Sequence, residues 1–242
     1  SFTEPLGWLS KGWKDMRDAG RYSFTYAAVV VLISGLLTFG LVFTDNHFLF
    51  TFLVAGFFLV APIIGIGLYQ MSAHLERGEP LKGCNALEAW SRNQGQISMV
   101  TGGFFIIMQL WIAVNFVLFA LLYAGISPPL ENFFSKLFLS EEGRVFAIAS
   151  IAVGFMFAWC AYAISVVTVP MLIDRKVDGF TAIRLSIKSV LQNMPAMMLW
   201  AFLIVLIIGL GLITFYIGLL VAFPLIGHGT WHAYRALVPS ED

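Results

Sequence analysis

The run Tyr22-Ser-Phe-Thr-Tyr-Ala-Ala-Val-Val-Val-Leu-Ile-Ser-Gly-Leu-Leu-Thr-Phe-Gly-Leu-Val-Phe-Thr44 contains no Asp, Glu, Lys or Arg. As a helix it extends about 34 Å at 1.5 Å per residue, enough to cross a hydrocarbon core of roughly 30 Å. Four further stretches lack those residues: Asn46–Leu75, Asn93–Leu130, Val145–Ile173 and Ser189–Tyr234. The last is too long for one crossing and suits a helical hairpin. Its turn is expected within Gly209-Leu-Gly-Leu-Ile-Thr-Phe-Tyr-Ile-Gly218, where three glycines can break the helix. Six membrane helices are therefore expected, at 22–43, 49–73, 98–124, 145–172, 195–213 and 216–236. The fold class that follows is all-α. It is a polytopic membrane helical bundle of three hairpins, forming one transmembrane domain over residues 1–242.

Composition agrees. Of 242 residues, 59% are hydrophobic and 12% charged, about half the charge of a soluble chain. A disordered protein, a nucleic-acid binder and almost any soluble enzyme are excluded. Fourteen Lys and Arg balance fourteen Asp and Glu, leaving no basic face for nucleic acid. Cys84 in a polar loop and Cys160 in an apolar run read as free thiols. The polar, amphipathic first 20 residues show no cleavable leader, so the first apolar helix is expected to act as an uncleaved anchor.

Orientation follows from Lys and Arg in short loops. Twelve of the fourteen fall before the first span, between spans 2 and 3, between spans 4 and 5, or at the C-terminal end. The opposite side holds only Lys136 and Arg144, in the long loop from Ser127 to Arg144. Both termini are expected on the cytoplasmic face.

Two segments resemble each other: Val60-Ala-Pro-Ile-Ile-Gly-Ile-Gly-Leu-Tyr69 and Ala222-Phe-Pro-Leu-Ile-Gly-His-Gly-Thr-Trp231. Both place a proline and two glycines near the cytoplasmic end of a span, so an internal repeat is one reading and chance similarity the other. Pro62 and Pro224 are expected to bend their helices. Gly65, Gly67, Gly227 and Gly229 are expected to admit a neighbouring backbone.

Amphipathic segments flank the spans. Residues 1–20 place Leu6, Leu9, Trp13 and Met16 on one helical face. The cytoplasmic connections near 76–95 and 174–193 contain two more. One opens at Asn85 with Glu88 three residues on, like a capping box. The other aligns Phe180, Ile183, Ile187 and Val190, with Arg184 and Lys188 on the other face. Apolar and aromatic groups opposite cations suit a helix in the headgroup region.

No expected span contains Asp, Glu, Lys or Arg, the groups that normally mark a coupled transport path. No nucleotide-binding loop or catalytic motif is found. Gln109, Asn115 and Thr101 read as hydrogen-bonding glue between helices, or as the lining of a passive path. Ser150, Gly154 and Ala158, spaced by four, read as a close-packing face. His228 and His232, also four apart, share a helix face, and His74 lies at similar depth. The three are the candidate metal or haem ligands. No carboxylate or thiol nearby in sequence completes a site, so no cofactor is expected.

These residues resemble a bacterial inner-membrane family of unknown function, domain of unknown function 2189. The resemblance rests on Gly12–Arg17, Ala61–Tyr69, Leu75–Gly78, Val169–Leu172 with Asp174 and Arg175, and above all Gly227–Arg235. It implies a multi-pass protein of the bacterial inner membrane and transfers no catalytic residue. Some members carry the label of cytochrome c oxidase subunits. This chain offers no haem- or copper-ligand set, so an oxidase would hold it as an accessory or assembly subunit. The leading expectation is thus a non-catalytic accessory, assembly or scaffolding component of a membrane complex, possibly respiratory, with lipid and other subunits as partners. The alternative is a transporter, channel or lipid-handling protein with a cavity gated at Pro62 and Pro224.

Overall fold

The computed structural model describes residues 2–44, 60–81, 85–122 and 140–238, and every regular element among them is helical. The helices are α1 (Glu4–Ala19), α2 (Arg21–Phe43), α3 (Ile66–Arg77), α4 (Asn85–Arg92), α5 (Gln94–Leu122), α6 (Glu141–Ser165), α7 (Thr168–Asp174), α8 (Gly179–Gln192), α9 (Met194–Ile213) and α10 (Leu219–Leu237). Residues 60–64 are also helical and lead into α3. Four candidate spans are long and apolar enough to cross a membrane: Arg21–Phe43, Gln94–Leu122, Gly143–Asp174 and Met194–Ile213. Of the other two expected spans, residues 49–59 of the second lie outside the described residues. The sixth is α10, a buried helix carrying Pro224, two glycines and two histidines. It is the hub of the bundle, packing on α1, α2, α3, α7 and α9.

α1 and α2 meet at Gly20, whose φ of +49° lets the chain turn without a Cβ clash. The buried face of α1 is Pro5, Trp8, Gly12, Met16 and Ala19. It packs on α10 at backbone contact. A Cβ on Gly12 would lie 2.6 Å from the Gly229 amide nitrogen. The expected apolar face is therefore divided. Met16 is buried, whereas Leu6 and Trp13 point outward with Phe2. One apolar stripe serves the bundle and an adjoining one remains open.

The fourth expected span is interrupted between Ser165 and Thr168. Pro170 has no N–H to give the Val166 carbonyl, so the break falls one turn before it. Ser186 of α8 bridges the gap, donating to the Ala163 carbonyl at 2.7 Å and accepting from the Val167 amide at 3.2 Å.

The turn between α9 and α10 falls at 214–218, inside the expected window, but the expected glycine break is corrected. The left-handed positions are Phe215 and Tyr216, with φ of 52° and 66°. Tyr216 is held there by a 2.7 Å hydrogen bond to Thr38. Gly211 and Gly218 serve close approach instead, a Cβ on Gly218 falling 2.9 Å from the Gly211 Cα.

The two similar segments face each other. A Cβ on Gly227 would lie 2.4 Å from Leu68, and one on Gly67 would lie 2.6 Å from the Tyr26 ring of α2. Tyr26 then donates to the Ile64 carbonyl at 2.6 Å. Gly65 abuts Tyr69 of its own helix, and Gly229 abuts Trp200 of α9. Aligned glycines thus have different neighbours.

Candidate functional site

α10 points His228 into the junction of α1, α2 and α3, where it is fully buried. Its Nε2 lies 2.7 Å from Ser23 Oγ and its Nδ1 2.7 Å from Ser72 Oγ. Ser72 donates its hydroxyl to Asp15 Oδ2 at 2.7 Å. That leaves Ser72 a lone pair to accept the His228 Nδ1–H, and His228 Nε2 accepts from the Ser23 hydroxyl. His232, one turn on, donates Nε2–H to the same Asp15 oxygen at 2.8 Å. The result is a continuous chain, Ser23–His228–Ser72–Asp15–His232, running from the core to a partly exposed end. Burial alone would raise the Asp15 carboxyl. The hydrogen bonds from His232 and Ser72 outweigh it and hold the group below its ordinary value.

A second network lies beside it at the same end. Glu76 accepts from the Trp231 indole and from Arg235, each at 3.0 Å. Asp174 accepts from the Tyr234 hydroxyl at 2.7 Å and from Arg235 at 3.5 Å. These bonds tie α10 to α3 and α7. Together the two networks clamp α1, α2, α3, α7 and α10 through charged and polar groups, all near one end of the bundle.

On the other side of α10 a cavity of about 410 Å³ opens between residues 61–69, α6, α9 and α10. Its walls are apolar and include Pro62, Tyr69, Trp111, Tyr162, Phe223 and Gly227. Gly154 and Ala158, the small-residue stripe of α6, line it too. The volume is that of a small-ligand pocket.

His228 and His232 are joined through Asp15 and Ser72, but His74 stands apart. It pairs with Gln70 at 2.7 Å and faces Glu79 at 3.4 Å. Among the described residues no three His, Cys, Asp or Glu side chains converge as a metal-holding group. Pro62 lines the cavity, whereas Pro224 is buried within α10. Thr101 and Asn115 each bond a carbonyl four residues back in α5 rather than another helix. Gln109 is exposed midway along α5. Asp15, Ser23 and Ser72 were not legible as site residues. Asp15 does fall at the edge of the buried face of α1, the one signal that marks it. Ser23 and Ser72 carry none, since small hydroxyls in apolar helices are common packing residues.

The helices and the apolar spans define an integral membrane protein. The chain belongs to the DUF2189 family, described as a predicted integral membrane protein, whose model matches residues 49–174, more than half of its length. No curated protein and no solved structure matches it.

Proposed function

We propose that this protein is a non-catalytic, six-span component of the bacterial inner membrane, with both termini cytoplasmic. It acts by associating with other membrane helices, as an accessory, assembly or scaffolding subunit, and needs no cofactor of its own. One observation carries this reading. Gln109 presents its amide outward from the middle of a span whose other central polar groups, Thr101 and Asn115, bond carbonyls of their own helix, and no hydrogen bond joins it to another described residue. An amide facing hydrocarbon is costly, and a helix from another subunit relieves that cost by about 0.6–2 kcal/mol. Supporting it, only 6% of the most apolar window of α2, and the same share of α5, is buried within the chain. A Cβ on Gly35, Gly40, Gly102 or Gly103 would meet nothing within 4 Å, leaving small-residue surface open to a neighbour. A respiratory complex is the setting the family resemblance suggests.

The test is a photo-crosslinker at position 109 in the tagged full chain, followed by purification in mild detergent. Adducts to a second membrane polypeptide are expected, and Gln109→Leu should weaken that co-purification. A strictly lone protein cross-linked only to lipid, or to its own chain, would overturn the reading. So would unchanged respiration in a deletion strain, for the respiratory setting.

A second reading, a lipid-handling protein, is favoured by the apolar cavity beside Pro62. Lining it with bulk, by Gly154→Leu, should then abolish transfer of a fluorescent lipid between vesicles. Transfer that is absent in the wild-type protein rejects this alternative.

A further inference from the structure

A pocket distinct from the apolar cavity, and sharing only Asp174 with the second network, opens where α4, α5 and α7 meet. It has a volume of about 420 Å³ and is lined by Arg92, Asn93, Asp174, Arg175 and Lys176, with Leu172 and Ile173 behind them. From this arrangement we propose that the pocket binds the phosphate headgroup of an anionic membrane lipid.

Depth is the first argument. The candidate span Gln94–Leu122 begins two residues after Arg92, and the span Gly143–Asp174 ends one residue before Arg175. Two apolar helices thus terminate at the pocket, so its cations stand at the boundary between hydrocarbon and water. That is the level of lipid phosphates, and basic pockets between helices there take anionic headgroups.

Charge is the second. Three cations line the pocket with one carboxylate, Asp174, whose Oδ2 lies 3.7 Å from Arg175 Nε and is shared with groups outside the pocket. Asp174 Oδ2 accepts from Tyr234 at 2.7 Å and Arg235 at 3.5 Å. Arg92 spends one donor on Glu88 at 2.8 Å, and a guanidinium has four more. Lys176 is exposed at the pocket rim. Arg175 is fixed by donating to the Val238 carbonyl at 3.3 Å, with its guanidinium 6.0 Å from the Tyr234 ring centre.

The walls are built before any ligand arrives. The Asn93 amide donates to the Leu172 and Val177 carbonyls, both at 3.3 Å, and Gln96 accepts from the Gly179 amide at 2.8 Å. The loop carrying Arg175 and Lys176 is thereby pinned over the start of α5. Beside it α8 turns Phe180, Ile187 and Leu191 outward. An apolar stripe next to Arg184 and Lys188 is the pattern of a helix resting in an inner leaflet.

The experiment uses the full chain, purified in neutral detergent and stripped of lipid. Phosphatidylglycerol, phosphatidylcholine and inorganic phosphate are titrated separately, with bound lipid read by native mass spectrometry and the thermal midpoint by intrinsic fluorescence. Phosphatidylglycerol should bind and raise the midpoint, and phosphatidylcholine should not. Lys176→Gln and Arg92→Gln should each weaken phosphatidylglycerol binding roughly fivefold, and the pair about 25-fold. Lys11→Gln, which does not line the pocket, should leave it unchanged. Lys176→Gln alone decides the matter if the double variant does not fold. Equal binding of the two lipids, or unaltered binding in Lys176→Gln, overturns the proposal. Inorganic phosphate that reproduces the shift and displaces the lipid at millimolar concentration also overturns it, in favour of a soluble phosphate compound.

Discussion

Replacing His228 by Ala removes one hydrogen-bond partner from each of two buried serines and leaves a void at a fully buried position. The expected loss is about 2–5 kcal/mol, read as a lower midpoint of thermal unfolding in detergent. His232→Ala, at the partly exposed end of the same chain of bonds, should cost less. Asp15 makes the network sensitive to acid. Its folded carboxyl is held below the ordinary value of 3.8, so its contribution is complete above the unfolded value of about 3.9. It is lost as pH falls through the lower folded value. Asp15→Asn should therefore lower the midpoint at neutral pH, and the gap from the wild type should close in strong acid. A pH series of melts from 7 down to about 2 measures both effects. Of these residues only the histidines announced themselves, because a spacing of four puts two ring nitrogens on one face. The serine and aspartate partners come from helices 156 to 217 positions away in sequence.

Among elements, the contact of α1 with α10 is the most sensitive to a single methyl group. Gly12→Ala would set a Cβ against backbone on the facing helix, and neither helix can yield without moving. A loss of about 1–3 kcal/mol is expected, with faster hydrogen exchange across residues 4–19 as the local readout. Gly35→Ala, where an added Cβ meets nothing within 4 Å in the chain, should not lower the isolated protein's stability. The pair separates a glycine needed for packing from one merely tolerated. The break before α7 is equally local. Ser186→Val would leave the Ala163 carbonyl and Val167 amide unpaired, and α8 should loosen from α6 with a loss of about 1–3 kcal/mol. The length and apolarity of α2, α5, α6 and α9 were legible as runs without charge. The interruption near 166 was not, although Pro170 marked where a helix must yield. The division of α1 into two apolar stripes was also hidden, because a single helix shows only that one side is apolar and not what covers it.

For the whole molecule, topology is the decisive measurement. Single cysteines at Lys11 and Arg184 should react only from the cytoplasmic side, and one at Lys136 only from the opposite side. A mixed pattern would remove the six-span arrangement and the headgroup depth assigned to the Arg92–Lys176 pocket together. The sequence by itself determined that this is a helical protein of the membrane. Burying so many apolar residues in water-soluble form would demand polar surface that 12% charge cannot supply, and long uncharged helices satisfy their own backbone in lipid. It also located glycines where helices touch, among them Gly67 and Gly227. Only the tertiary structure decided which helix is central, because α10 is less apolar than α2 and α9 and takes that place through contacts with five helices. The same holds for the polar chain through His228 and the basic pocket at the ends of α4, α5 and α7. Each is assembled from residues remote in sequence, and hydropathy, a sum along one segment, carries no information about which segments meet.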